Sequence, residues 1–275
     1  MNAMRKRSYR DEIVTRLSNL DSRLKASILG YVGSKSSIYP IYNVNTGSDI
    51  GAPKILLSAG VHGDEPAGVY ALLDFLEGPI LKYASAYDFL VLPCLNPWGF
   101  EHDDRRNMYG VDINRSFVKN TSAIAILLKE YISRGKEYLF AMNLHEDDTY
   151  VEVGGFPKED NPRGFYVYEE SLGGLTIGRS MIMDLQKNGI EICRNASIYG
   201  DMNKEGVIFS KSNSGEFEQF LERYTKKVLV PETPTCWSLE KRIAAQKIAL
   251  HSALDFGRVD VAQVLSNMDY IKQSI

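Results

Sequence analysis

The sequence predicts an α/β protein in which helices cover both faces of a mixed, largely parallel central sheet. Two observations predict it. The first is four short, mostly apolar runs that lack polar alternation: KILLSAG (54–60), DFLVLPCL (88–95), YLFAMNL (138–144) and KKVLV (226–230). Runs of this kind suit strands buried on both faces. The second is that helical patterns separate them, over 66–76, 121–133, 172–188 and 237–256. Strands alternating with helices give an α/β/α sandwich rather than separate helical and sheet domains.

Taken in order, the elements support that reading. The start, MNAMRKRSYRDEIV, is basic but lacks the apolar stretch of a signal peptide, so a cytoplasmic protein is expected. SILGYVGSKSSIYPIYNVNTG (27–47) fits one or two antiparallel strands preceded by a helix. The first apolar run breaks into VHGDEP, where Pro66 opens a helix, as proline does at a first helical position. The second run leads into NPWG, the third into HEDD and the fourth into PETPT. GGF (154–156) and GFYVYE (164–169) are expected to line or flank the cleft.

In open α/β sheets, ligands bind beyond the carboxyl ends of the strands. Each of the four runs ends at a group able to ligate or catalyse: His62 with Glu65, Asn96, His145, and Glu232. That shared placement carries more weight than any single motif.

Bulk properties exclude several classes. The 275 residues are 44% hydrophobic and 24% charged, ordinary for a globular protein. A net charge of −3 gives no reason to expect nucleic acid or an anionic membrane as partner. Cys94, Cys193 and Cys236 lie far apart, which predicts neither a disulfide framework nor a thiolate metal site. No run approaches the roughly 18 apolar residues of a membrane span. Neither G-x-G-x-x-G nor G-x-x-x-x-G-K-[ST] follows a strand, which disfavours a nucleotide-binding domain. Without repeats or linkers, one domain over 1–275 is expected.

His62 and Glu65 form H-x-x-E at a strand-to-helix turn, and His145 at another strand end would complete a His₂Glu set. Catalytic zinc takes three such protein ligands plus a water. On its own the motif is weak: His62 also suits a turn cap, and Glu65 a helix start favoured by the macrodipole. HEDDT is not the H-E-x-x-H helix, because Thr149 stands at the second histidine position. His102 reads as part of a solvated charged loop and His251 as a partly exposed helix residue. Asp112, Asp147 and Asp148 are candidates to accept the far imidazole proton of a ligand. The last two also read as a hydrated acidic loop.

GVHGDE, LNPWGF, GVDINRSF, NLHEDD and VPETPT occur in the order and approximate spacing of the zinc-dependent carboxypeptidase family. The chain resembles that family, its murein-peptide amidases and, more distantly, succinylglutamate desuccinylase and aspartoacylase, over about residues 54–236. The resemblance implies a zinc-carboxypeptidase-like fold and one zinc per chain on His62, Glu65 and His145. A His₂Glu set would also accept another first-row ion. It implies Glu232 as general base, Arg105 (or Arg106, one position on) polarising the carbonyl, and Asn114 with Arg115 gripping a substrate carboxylate. Asp112 matches the partner of the first histidine, and Tyr199 the tyrosine that precedes the base. Glu146 departs from the glycine common after the third ligand.

The implied reaction is hydrolysis of an amide beside a free carboxylate, as a carboxypeptidase or murein-peptide amidase performs it. The substrate would be a small peptide. An N-acyl amino acid deacylase and a non-catalytic metal- or peptide-binding descendant are the alternatives. Because the base and the oxyanion arginine are both present, the catalytic reading is preferred.

Overall fold

The structure is a computed structural model. It describes residues 6–273 apart from 48–50, 135–136, 151, 153–154, 156, 158–159, 170–175 and 210–215; over 259–273 only the backbone helix is described. Two of the three GGF residues therefore fall outside it, as does the start of the 172–188 pattern.

After a π-helical turn at Arg10–Val14 and the short α1 (Thr15–Ser18), the chain forms an antiparallel hairpin of β1 (Lys25–Ser34) and β2 (Ser37–Asn45). The helix and the paired strands expected from the first fifty residues are both present. β3 (Lys54–Ala59), α2 (Pro66–Leu76), β4 (Asp88–Leu92), α3 (Pro97–His102) and α4 (Ala123–Ser133) follow. β5 (Phe140–Asp147), β6 (Tyr166–Glu169), α5 (Ile177–Lys187) and the short β7 (Ser197–Ile198), β8 (Asp201–Lys204) and β9 (Val207–Ile208) come next. α6 (Glu216–Leu221), β10 (Val228–Pro234) and the long α7 (Leu239–Gln273) complete the order.

The sheet order is β1-β2-β4-β3-β5-β10-β6-β9-β8-β7. Its centre, β4-β3-β5-β10, is parallel throughout and consists of the four apolar runs. Antiparallel pairs flank it, β2 on β4 and β6 on β10. The missed strands β7–β9 are two to four residues long, too short to show periodicity.

Strand alternation divides the core into two layers. Ile55, Leu57, Phe140, Met142, Leu144 and Leu229 pack on the side of α2, α5 and α7. Leu56, Ala141, Val228 and Val230 pack with Ile124, Leu128, Phe217 and Phe220 of α4 and α6. This is the expected sandwich. The alternation also decides where polar residues go. Asn143, His145 and Asp147 continue the α6-facing side of β5, whereas Glu146 continues the side facing α2 and α7.

Candidate active site

His62 and Glu65 sit in the turn that joins β3 to α2. Gly60 there has φ +63°, and a Cβ on it would come within 2.7 Å of Val69, so only glycine turns the chain at this point. Gly63 approaches the backbone of α3 so closely that a Cβ would lie 2.0 Å from the Gly99 carbonyl carbon. Glu65 precedes the first turn of α2 but does not cap it with its side chain. The exposed helix donor at Ala67 is met by Glu146 Oε1 at 2.6 Å, which leaves Glu65 available for other partners.

Those partners are the two histidines. Glu65 Oε1 lies 2.6 Å from His62 Nδ1, and Oε2 lies 2.8 Å from His145 Nδ1. The rings are 5.0 Å apart, and one donor atom from each of the three residues falls within 4.8 Å of the others. All three are buried. The far nitrogens face two further carboxylates. Asp112 Oδ1 is 3.3 Å from His62 Nε2, close enough for charge pairing although outside hydrogen-bond geometry. Glu218 Oε1 is 3.3 Å from His145 Nε2, which also meets the Asn143 amide nitrogen at 2.7 Å.

This donor set fits a divalent cation. Two imidazoles and a carboxylate converge through Nδ1, Oε and Nδ1, and a carboxylate stands behind each ring, the arrangement that orients metal-ligating histidines. Charge agrees. Glu65, Asp112, Glu218 and Glu232 surround two imidazoles, and Arg105 pairs with Glu65 and Asp112. Burial would lower the His145 pKa, but Glu65, Glu218 and Glu232 together hold it well above its usual range. The site thus carries an excess of negative charge.

Glu232 on β10 is the direct cross-strand neighbour of His145 on β5, so both face the same cavity. Its Oε2 has no hydrogen-bond partner among the described residues. Burial pushes this carboxyl well above the ordinary range; the His145 charge opposes, while Glu65, Asp147 and Glu218 add to the shift. The cavity, about 840 Å³, also contains Arg105, Asn114 and Arg115.

Asp112 organises the segment that carries these residues. It accepts Arg105 Nε at 3.0 Å and the Arg115 backbone N–H at 3.2 Å, capping the turn Ile113–Arg115. Burial would raise Asp112, yet its close contact with His62 and the charge and hydrogen bond of Arg105 hold it well below the carboxylate range. Arg105 Nη1 is also 3.6 Å from Glu65 Oε1. Arg106 is exposed and its backbone N–H donates to Asp104, so of the two arginines it is Arg105 that faces the cavity. Asn114 is buried and accepts the Phe217 N–H, whereas the Arg115 residue is exposed at the cavity mouth.

Tyr199 lies on the cavity wall with φ +48°, and its hydroxyl donates to Asp147 at 2.7 Å. Asp147 is not part of a hydrated loop: it is 8% exposed, ends β5 and also accepts from Tyr166. Burial raises its pKa to about 6 against the pull of the two tyrosine hydroxyls. Its acceptors are thus engaged by tyrosines. His102 is not in a solvated loop either, but ends α3 stacked on Trp98. His251 packs between Phe75 and Tyr83.

The sequence reading missed Glu218, Glu146 as a helix cap, and Arg242. The Arg242 Nη1 bonds Glu146 Oε2 from α7. Nothing in EFEQFL separates Glu218 from Glu216, and Arg242 is one of several basic residues along its helix. Only the tertiary arrangement distinguishes them.

Comparison with known proteins agrees with this geometry. Residues 51–151 match the succinylglutamate desuccinylase/aspartoacylase catalytic domain family. Among curated protein sequences none matches the chain. The structure is similar to a Shewanella denitrificans protein provisionally described as a metallopeptidase (25% identity, TM-score 0.73, 91% of this chain and 89% of that one covered). A Shewanella amazonensis protein with the same description gives 26% identity, TM-score 0.74, and coverage of 90% and 91%. A Pseudomonas aeruginosa metallo-carboxypeptidase, solved with (2-guanidinoethylmercapto)succinic acid, shares the fold at 17% identity and TM-score 0.60, covering 88% of this chain and 66% of its own. The chain therefore has a zinc-carboxypeptidase-like α/β fold, and its first motif block matches the desuccinylase/aspartoacylase catalytic domain, in line with the resemblance carried by its motifs.

Proposed function

We propose that this protein is a metal-dependent hydrolase, a single catalytic domain that cleaves an amide bond next to a free carboxylate. The observation that carries this reading is one cavity lined by a His62–Glu65–His145 donor set, by Glu232 beside it and by Arg115. His62 Nδ1, His145 Nδ1 and Glu65 would hold a divalent ion, zinc by the chemistry of the donors, one per chain. When bound, that ion would supply Lewis acidity towards the scissile carbonyl and acidify water at that point.

The chain's own residues do the rest. Arg115 accommodates a carboxylate through paired N–H donors and, with Asn114, fixes the substrate's position. Arg105 presents its guanidinium where negative charge develops on the carbonyl oxygen. Glu232, with an unengaged Oε2, takes a proton from water and delivers it to the departing amine. Asp112 and Glu218 hold the two imidazoles in orientation. Tyr199 closes the cavity wall from its contact with Asp147.

Peptides trimmed at a free C-terminus, or cell-wall peptides, are the first substrate class. The match of residues 51–151 to the desuccinylase/aspartoacylase family favours a second reading, deacylation of an N-acyl amino acid. A non-catalytic role is disfavoured because Glu232 and Arg105 both face the cavity. Among the described residues no helix is long and apolar enough to cross a membrane.

The test is turnover of a panel of C-terminally free peptides, their amidated counterparts and N-acyl amino acids by zinc-loaded protein. Preference for free-carboxylate substrates supports the proposal, and the better class decides between peptidase and deacylase. Equal turnover of amidated peptides would remove the carboxylate requirement.

A further inference from the structure

The N-terminal segment contributes nothing to the motif set, yet one of its side chains reaches the loop that carries His62. Arg7 donates through Nη2 to the Gly63 carbonyl at 3.1 Å and through Nε to the Phe100 carbonyl at 2.7 Å. The same Nη2 pairs with Asp103 at 2.7 Å. Its guanidinium lies 4.9 Å over the Phe100 ring, and the side chain is only 15% exposed. The backbone reinforces the attachment: the N–H groups of Lys6 and Arg7 donate to the Glu101 carbonyl, and that of Tyr9 to Glu101 Oε1. Tyr39 of β2 holds the other Glu101 oxygen at 2.7 Å.

The two carbonyls belong to different working loops. Gly63 follows the first histidine directly. Phe100 belongs to α3, which leads into Asp103 and Arg105 on the cavity wall. These loops touch backbone to backbone at Gly63 and Gly99, a contact that leaves no room for side chains between them. Behind that contact the Leu95 and Asn96 N–H groups donate to the Ala59 and Gly60 carbonyls. On the far side, the planar fork of Arg7 adds one bond to a carbonyl of each segment.

We propose that Arg7 is a positioning residue: it locks the His62 loop to the Arg105 segment and so sets the affinity of the metal site. The inference rests on the metal reading above. A ligand loop held at a fixed distance from its partner strand loses little freedom when the ion arrives. Released from Arg7, the 61–64 turn loses its tie to Phe100, the ion has to supply more of its ordering, and affinity falls.

The experiment measures zinc affinity by chelator competition on the full chain, for the parent, Arg7→Met and Lys6→Met, at a temperature where every metal-free form is folded. The metal-induced rise in melting temperature is recorded alongside. Lys6 shares the Asp103 contact but touches neither carbonyl, so it controls for lost charge at the N-terminus. Arg7→Met is expected to weaken zinc by about tenfold, the scale on which groups behind metal ligands act. Its melting-temperature rise on metal binding should shrink, and Lys6→Met should match the parent.

Parent-like affinity in Arg7→Met, or an equal loss in Lys6→Met, overturns the proposal. If the methionine variant does not fold, Arg7→Lys takes its place, since lysine keeps the charge facing Asp103 without the planar fork. A several-fold loss then supports the inference and parent affinity overturns it. Failure of the parent to bind zinc would instead overturn the metal reading.

Discussion

Two parts of the cavity lining are built on different rules. On the wall formed by the ends of β3 and β5, His62, Glu65 and His145 are buried, and their polar atoms face other side chains at close range. Partners stand behind them in turn: Asp112, Glu218 and Asn143 on one face of the sheet, Glu146 and Arg242 on the other. Elsewhere in the lining, Arg115 on the Ile113–Arg115 turn is exposed, and Glu232 keeps an oxygen without a hydrogen-bond partner among the described residues. The difference is that the donor set is held at close range by other side chains, although His62 Nε2 and Glu218 Oε2 keep no hydrogen-bond partner among the described residues. A buried polar atom left in reserve, as at Glu232, is costly unless something completes it.

The sharpest way to break this contrast is to remove the shared carboxylate. Glu65→Gln should weaken zinc by about 100-fold or more, measured by metal content after dialysis, with activity lost in step; catalytic zinc needs three good ligands. Stoichiometric metal in that variant would show that the convergence of the two rings on Glu65 is not a ligand set. Next in size, Glu232→Gln should retain metal while kcat falls by about 10²–10⁴, the usual range for a lost general base. A fall in metal content alongside would move Glu232 to the donor set.

Arg115→Lys should lower kcat/KM for free-carboxylate substrates by about tenfold or more, because an ammonium cannot make the paired contact. Amidated substrates serve as the reference, and a parallel loss there would mean the residue braces the turn instead. Glu218→Gln should cost about tenfold in zinc affinity, read by chelator competition, as expected of a carboxylate behind a metal-bound imidazole. The smallest effect is a displacement. The base works only when deprotonated, and burial raises Glu232, so activity should appear as pH rises through a value above the ordinary carboxylate range. An acid limb in the pH profile of kcat/KM near pH 4 would contradict this, since Glu232 would then titrate like an exposed carboxylate.

How much of this was legible in the sequence follows the same division. The four central strands could be read because burial on both faces forces uninterrupted apolar runs. α2 matches its predicted span of 66–76 because Pro66 marks its start. The metal donors could be read because H-x-x-E and a strand-end histidine are local signals that survive without tertiary information. From the residues alone Asp112 is one of three candidate partners for an imidazole, and only the resemblance singles it out. Asn114 and Arg115 could be read only through the resemblance. Glu218 and Arg242 could not be read at all, since what makes them special is a contact with residues 73 and 96 positions away. The misplacement of Asp147 has the same origin: HEDD looks hydrated, yet β5 runs on to Asp147 and two tyrosines enclose it.

Alternation along β5 has one more consequence. Gln246 of α7 donates to the His145 carbonyl at 2.7 Å, and Arg242, one helical turn earlier, secures Glu146. The donor set is written early in the chain, but the clasp behind it is written late. A polypeptide emerging from the ribosome therefore displays both histidines well before it can hold them still. On the proposed metal reading, high-affinity capture of an ion would wait for translation of the final helix.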